Sequence, residues 1–308
     1  MQYAIIGGAG FIGSHLVDSL IEKGHDVVVV DNLISGMRKF INEKAVFEWG
    51  DIRTASDLDR IFDKYDFDRC INLAAQPYIP ECYDDPELFF ETNANGTLNV
   101  IRACERHGVP KLLQYASAEE YGTQTGKISE SVAIRPQSTY GVSKVAADYL
   151  CNVREKESGI HAISLRQFNC YGPRETHEYV IPEIISQLAK KNVVYLGNIH
   201  AQRDFLYVED AAEYAIELLE KGAAGEIYNL GSEGCISIKE LAETIGGLMW
   251  SDPISIQIDK KKLRPWDIER LQSDNTKIHQ VVKYRPKTSF EDGLKKTIAY
   301  FEEHGWHF

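Results

Sequence analysis

The sequence predicts an α/β protein: a doubly wound parallel sheet followed by a smaller mixed α/β region. Three observations predict it. Short β-branched runs alternate with amphipathic stretches through the first half of the 308 residues. The runs are mostly apolar, as expected of strands covered on both faces. The alternation then gives way to a different pattern after residue 170.

The elements come in a regular order. Residues 2–6, 26–30, 46–49, 69–73 and 111–116 read as buried strands. Amphipathic stretches at 11–23, 54–65 and 86–107 read as helices between them. A helix at 138–157 and a sixth strand at 162–168 complete the series. Strands alternating with helices, joined by right-handed crossovers, give a doubly wound order. Beyond a turn at Tyr171-Gly172-Pro173-Arg174, helices are predicted at about 180–191, 210–221 and 237–249. The expected division is 1–170 for the sheet domain and 171–308 for the smaller region. Part of 205–230 is expected to return to the sheet.

Composition excludes several functions. The net charge of -12 argues against a nucleic-acid duplex or an anionic membrane as main partner. A phosphorylated small ligand stays open, since a pocket can be basic inside an acidic protein. No apolar run reaches transmembrane length, and no secretory leader pattern precedes the first strand. The reading is therefore a soluble, cytoplasmic protein. The six cysteines are scattered with no CxxC pair, so reduced thiols and no metal are expected.

Gly7-Gly-Ala-Gly10-Phe-Ile-Gly13 lies between strand 1 and the first helix. Gly7 allows a tight turn, Gly10 a close backbone approach to a pyrophosphate, and Gly13 close packing of helix on sheet. The helix N-terminus, through Phe11 and Ile12, offers free N–H groups and a positive dipole. Asp31 ends strand 2, where a carboxylate accepts from both ribose hydroxyls and opposes a 2′-phosphate. This is a Rossmann-type site, and NAD is favoured over NADP.

Tyr140-Gly-Val-Ser-Lys144 opens a helix, with Ser138 as N-cap. Positions i and i+4 share a helix face, so phenol and ammonium stand side by side. The expectation is a cation that lowers the phenol pKa, so that Tyr140 takes a proton from a sugar hydroxyl as hydride leaves.

With these motifs in this order, the chain resembles the extended short-chain dehydrogenase/reductase family, specifically its nucleotide-sugar epimerases and dehydratases. The resemblance runs from residue 2 to about 301. It is carried by GGAGFIGSHL at 7–16, Asp31-Asn32-Leu33, Gly50-Asp51-Ile52, Leu73-Ala74-Ala75, Thr92-Asn93 with Gly96-Thr97, Tyr140-xxx-Lys144, Phe168-Asn169-Cys170-Tyr171-Gly172-Pro173-Arg174, and Arg203-Asp204-Phe205 with Tyr207-Val208. It implies that Asn32 joins Asp31 in holding NAD, that Asp51 and Ile52 contact the adenine, that Leu73, Ala74 and Ala75 line the cofactor cleft, and that Phe168 approaches the nicotinamide. Asn169 and Arg203 would hold a nucleotide diphosphate, with Arg264 a second candidate, while Val180 and Leu196 sandwich the base. Helices 86–107 and 138–157 would form a homodimer seam, with Tyr149, Leu150 and Val153 on it.

The family shares oxidation at sugar C4. The second step depends on Ser117-Ala118-Glu119-Glu120-Tyr121-Gly122. By resemblance Ser117 bonds the C4 oxygen, and Glu119 sits where 4,6-dehydratases and uronate decarboxylases carry an acid. Once C4 is a ketone the C5 proton is acidic, and a carboxylate can remove it. Ala118 departs from the pattern, because members with Asp there use it as the acid at C6. Here Glu119 must return its proton, or water or another residue must supply one, or elimination is slow or absent. The expectation is an NAD-dependent nucleotide-sugar 4,6-dehydratase. The alternatives are a 4-epimerase of UDP-glucose or UDP-N-acetylglucosamine type, then a UDP-glucuronate decarboxylase, then a non-catalytic nucleotide-binding protein. The sequence assigns no arginine to a uronate carboxylate and does not identify the base or the sugar.

Overall fold

The computed structural model describes residues 1–306; the last two residues of the 171–308 region lie outside the described residues. The first half runs β1 (Gln2–Ile6), α1 (Phe11–Glu22), β2 (Asp26–Asp31), β3 (Val46–Trp49), α2 (Ala55–Phe62), β4 (Arg69–Asn72), α3 (Pro86–Phe90), α4 (Thr97–Arg106), β5 (Lys111–Ser117), α5 (Thr139–Ser158) and β6 (His161–Gln167). The second half runs β7 (Asn169–Tyr171), α6 (Val180–Leu188), β8 (Val193–Leu196), β9 (Gln202–Arg203), β10 (Phe205–Tyr207), α7 (Val208–Lys221), β11 (Ile227–Leu230), β12 (Ile236–Ser237), α8 (Ile238–Met249), β13 (Ser255–Ile258), α9 (Ile278–Val281) and α10 (Phe290–His304).

The main sheet has seven parallel strands in the order β11-β6-β5-β4-β1-β2-β3. The chain builds outward from β1 to β3, then crosses back to β4. That reversal opens a crevice at the carboxyl ends of β1 and β4, where such sheets bind ligands. Alternation along each strand feeds both faces. Val27 and Val29 pack with α1 and α7, while Val28 and Val30 pack with α2 and α4. Each fully buried aliphatic side chain contributes about 1.5–3 kcal/mol relative to exposure.

Two expectations need correction. Strand β3 is not buried: Val46 and Trp49 are 47% and 53% exposed. It is the sheet edge, with a partner on one side only. The stretch at 86–107 is not one regular helix, because a π-helical turn at Glu91–Gly96 separates α3 from α4. At Gly96 a Cβ would stand 2.6 Å from the Ile52 side chain, so the chain passes very close there.

Strand β11 from the second half joins the main sheet beside β6. The remaining strands form three small pairs: β7 with β10, β9 with β12 and β8 with β13. With α6, α8 and α10 they enclose a separate apolar cluster. Among the described residues, no helix is long and apolar enough to cross a membrane. All six thiols are free.

Candidate active site

A cleft of about 690 Å³ runs from the glycine loop, across the ends of β4 and β5, to α6 and β8. At its first end, Gly7 turns with φ +81, and a Cβ there would stand 2.7 Å from the Ala74 nitrogen. A Cβ at Gly13 would stand 2.2 Å from the Gly7 oxygen. Helix α1 has no side-chain cap at Gly10, so its first-turn N–H groups are left for a ligand. Gly10, Phe11, Ile12 and Gly13 all line the cleft.

Asp31 lines it too, 8% exposed. Its carboxylate accepts from the Ala9 nitrogen at 3.0 Å and the Leu33 nitrogen at 2.8 Å. Burial pushes this carboxyl up, and the two backbone bonds pull it back. Asn32, Ile52, Leu73, Ala74 and Ala75 share the wall. Asp51 does not. Its carboxylate is turned to Arg53 at 2.6 Å and accepts from Asn32 Nδ2 at 3.0 Å. The Arg53 hydrogen bonds hold it down at about 2. Asp51 therefore orients Asn32 from behind.

The centre of the cleft is the end of β5. Ser117 Oγ accepts from the Glu119 nitrogen at 3.2 Å, capping a 3-10 turn at Ala118–Tyr121. Ala118 is buried against Tyr121, Phe168 and Leu271. Glu119 is on the cleft wall rather than on a solvated loop. Burial pushes its carboxyl up, Arg203 and Arg264 pull it down, and Asp267 pushes it up again.

Ser138 Oγ caps α5 by accepting from the Gly141 nitrogen at 3.0 Å, which sets Tyr140 and Lys144 on the cleft side. The expected lowering of the phenol pKa is not found. Burial pushes Tyr140 up, and the group that opposes this is Ser117, not the lysine. The Lys144 ammonium is turned away, donating to the Tyr115 carbonyl at 2.5 Å. Burial pulls Lys144 itself down to about 8.

Toward the second half, Phe168, Asn169, Val180, Leu196, Arg203 and Arg264 all line the same cleft. The guanidinium of Arg203 is already engaged. It donates to the Ile268 carbonyl at 2.7 Å and to Asp267 Oδ1 at 3.0 Å. Arg264 has no hydrogen bond or ion pair among the described residues. Tyr78, His177 and Tyr179 pack ring on ring across the cleft, with Tyr78 and His177 stacked at 5.3 Å.

A family model described as GDP-mannose 4,6 dehydratase matches residues 4–297. The chain belongs to that family.

Its relatives carry several activities. It is 32% identical to a UDP-N-acetyl-alpha-D-glucosaminuronate decarboxylase of Bacillus cytotoxicus, over 97% of each chain. It is 30% identical to a dTDP-glucose 4,6-dehydratase of Neisseria gonorrhoeae, over 96% of this chain and 94% of that one. The crystal structure of Thermus thermophilus UDP-glucose 4-epimerase in complex with NAD superposes with a TM-score of 0.90 at 29% identity, covering 99% of this chain and all of that one. The family is one of NAD-dependent nucleotide-sugar enzymes, and this chain is one of them.

Several residues in or beside the cleft are not apparent from the sequence. Asp267, which holds Arg203, lies 64 residues away in sequence. Tyr78 and Tyr179 are brought together only by the fold. Glu120 could have been found, because Ser117-Ala-Glu-Glu120 is the S-x-x-E pattern of a capping box, and the structure forms one.

Proposed function

We propose that this enzyme is a nucleotide-sugar 4,6-dehydratase. It oxidises C4 of a nucleotide-linked hexose, removes the C5 proton and expels the C6 hydroxyl as water; the hydride taken from C4 then returns to C6 and a proton to C5, leaving a 4-keto-6-deoxy sugar. The observation that carries this reading is Glu119, a carboxyl lodged in the cleft on the turn that begins at Ser117, with Tyr140 close by.

Tyr140 is the base for the C4 hydroxyl proton, and the Ser117 hydroxyl steadies the C4 oxygen. NAD, when bound, supplies reversible hydride exchange with the sugar. The glycine loop, Asp31 and Asn32 would hold it, with Lys144 and Phe168 on the nicotinamide side of the cleft. The glycine contacts and the uncapped α1 terminus fit such a ligand, since side chains at Gly7 or Gly13 would fill the cradle. Glu119 takes the C5 proton. Burial raises its pKa, which strengthens it as a base toward C5 and lets the same carboxyl pass the proton on. Asn169, Arg203 and Arg264 bind the diphosphate, and Val180 and Leu196 flank the base. The exposed side chains of Tyr149 and Val153 on α5 support a homodimer seam, while Leu150 packs inward.

The test is Glu119→Gln. Assayed by mass spectrometry against UDP-, GDP-, dTDP- and CDP-hexoses, the wild type should release water from one of them. The variant should lose at least 100-fold in that rate, within the usual worth of a general base. Equal rates would defeat the proposal.

One observation favours a second reading. The unpaired guanidinium of Arg264 on the cleft wall suits the carboxylate of a uronic acid. Carbon dioxide released from a nucleotide-linked uronate would favour decarboxylation instead, the activity named for the Bacillus cytotoxicus relative.

A further inference from the structure

Behind the catalytic pair lie four charges, of which the proposed reaction uses only Lys144. Glu120 and Asp148 are 0% exposed, Arg166 is 1% and Lys144 is 4%. They come from three pieces of the fold: the turn after β5, helix α5 and strand β6. Glu120 Oε1 accepts from the Ser117 nitrogen at 3.0 Å, and its Oε2 stands 3.0 Å from Arg166 Nε. Arg166 Nη2 reaches Asp148 Oδ2 at 2.5 Å. Its Nη1 donates to the Tyr121 hydroxyl at 2.8 Å, which donates to Asn229 Oδ1 at 2.8 Å.

A guanidinium and an ammonium thus face two carboxylates away from water. Breaking such a set by removing one member leaves an uncompensated buried charge. The ammonium is the member free to respond, because a lysine sheds its proton when buried and unsupported, whereas an arginine does not. The groups facing Lys144 are Glu120 from the turn, the Tyr115 carbonyl from β5, and Asp148 and Cys151 from its own helix.

We propose that Glu120 is a positioning residue of this enzyme. Its carboxylate holds the Ser117–Glu119 turn from beneath and keeps Lys144 an ammonium, with Arg166 as the balancing cation.

The electrostatics agree with this geometry. Burial draws Lys144 down to about 8, and Glu120 is the leading group opposing it, ahead of Asp148. Burial and the neighbouring Asp148 carboxylate push Glu120 up, while the Arg166 guanidinium, the Ser117 N–H and the ammonium favour its ionised form. The Ser117 N–H on Oε1 and the Arg166 guanidinium 3.0 Å from Oε2 are the contacts of a carboxylate. The proposal rests on Tyr140 and Lys144 being the catalytic pair. It is independent of whether water or carbon dioxide is lost.

The experiment is Glu120→Gln, which keeps an acceptor for Ser117 and removes the charge. Lys144 is followed directly, without a sugar substrate, by carbamylation with cyanate across pH and mass spectrometry of its peptide. Only the unprotonated amine reacts. The wild-type midpoint is expected near 8. In E120Q it should fall by about one unit or more, a tenfold change in the equilibrium. The alkaline limb of kcat/KM should move with it. A merely structural role would lower the whole profile without moving the limb. The double variant E120Q/R166M restores the balance of charge, and its midpoint should return to the wild-type value. An unmoved midpoint in E120Q overturns the proposal. Should E120Q fail to fold, a displaced midpoint in the double variant overturns it instead.

Discussion

Consider an alanine placed at Gly13. Its Cβ would stand 2.2 Å from the Gly7 oxygen and 2.8 Å from the Gly8 Cα. Both neighbours are backbone, so no flexible side chain can give way. Helix α1 and the glycine loop must part by about 1 Å to reach ordinary contact. Overpacking of this kind costs about 1–3 kcal/mol, and backbone against backbone belongs at the upper end. Alanine recovers about 1 kcal/mol of helix propensity, leaving a net loss of about 2 kcal/mol. Gly247 is the control. It is also helical, in α8, and a Cβ there meets nothing within 4 Å. Gly247→Ala should therefore show the propensity gain alone, about 0.5–1 kcal/mol. In a chain of 308 residues each kcal/mol moves Tm by about 2 °C. Thermal melting should place G13A about 4 °C below the wild type and G247A about 1–2 °C above it. Displacing the α1 terminus should also weaken NAD at least tenfold, about 1.4 kcal/mol, by titration calorimetry, while G247A binds normally. A G13A protein that melts with the wild type and binds NAD equally well would refute the packing argument.

Two further predictions concern pH and assembly. His15 is buried, its Nε2 is 3.0 Å from the Pro173 carbonyl, and burial draws its pKa from 6.5 to about 4. A depressed histidine contributes stability above its unfolded pKa and loses it as pH falls from 6.5 toward 4. Urea unfolding should show the wild type losing about 3 kcal/mol more than His15→Gln over that window; parallel losses would remove His15 as the cause. If α5 carries the dimer seam, Val153→Glu should halve the mass seen by light scattering without changing Tm by more than about 1 °C, since exposed substitutions cost little. An unchanged mass would clear that face.

Much of the fold was legible because its signals are local. The glycine spacing, the apolar runs and the Ser138 cap each act within a few residues, and the structure forms each of them. What escaped depends on neighbours remote in sequence. Strand periodicity announced β3 but not that it is an edge. The i, i+4 spacing put Tyr140 and Lys144 on one face but did not reveal that the ammonium turns to the Tyr115 carbonyl. The pairing of Arg203 with Asp267 gave no signal because the two lie 64 residues apart. Glu120 was readable as a cap, yet its ion pair with Arg166 comes only from packing β6 against the turn.

Dehydration requires that C4 oxidation lead to proton removal from C5 and loss of water. Turnover in deuterated water, with the product read by mass spectrometry and NMR, tests that order of events in one experiment. The expected product lacks one water and carries one deuterium at C5, with both changes abolished in Glu119→Gln. A product of unchanged mass, epimerised at C4 and free of deuterium at C5, would contradict dehydration.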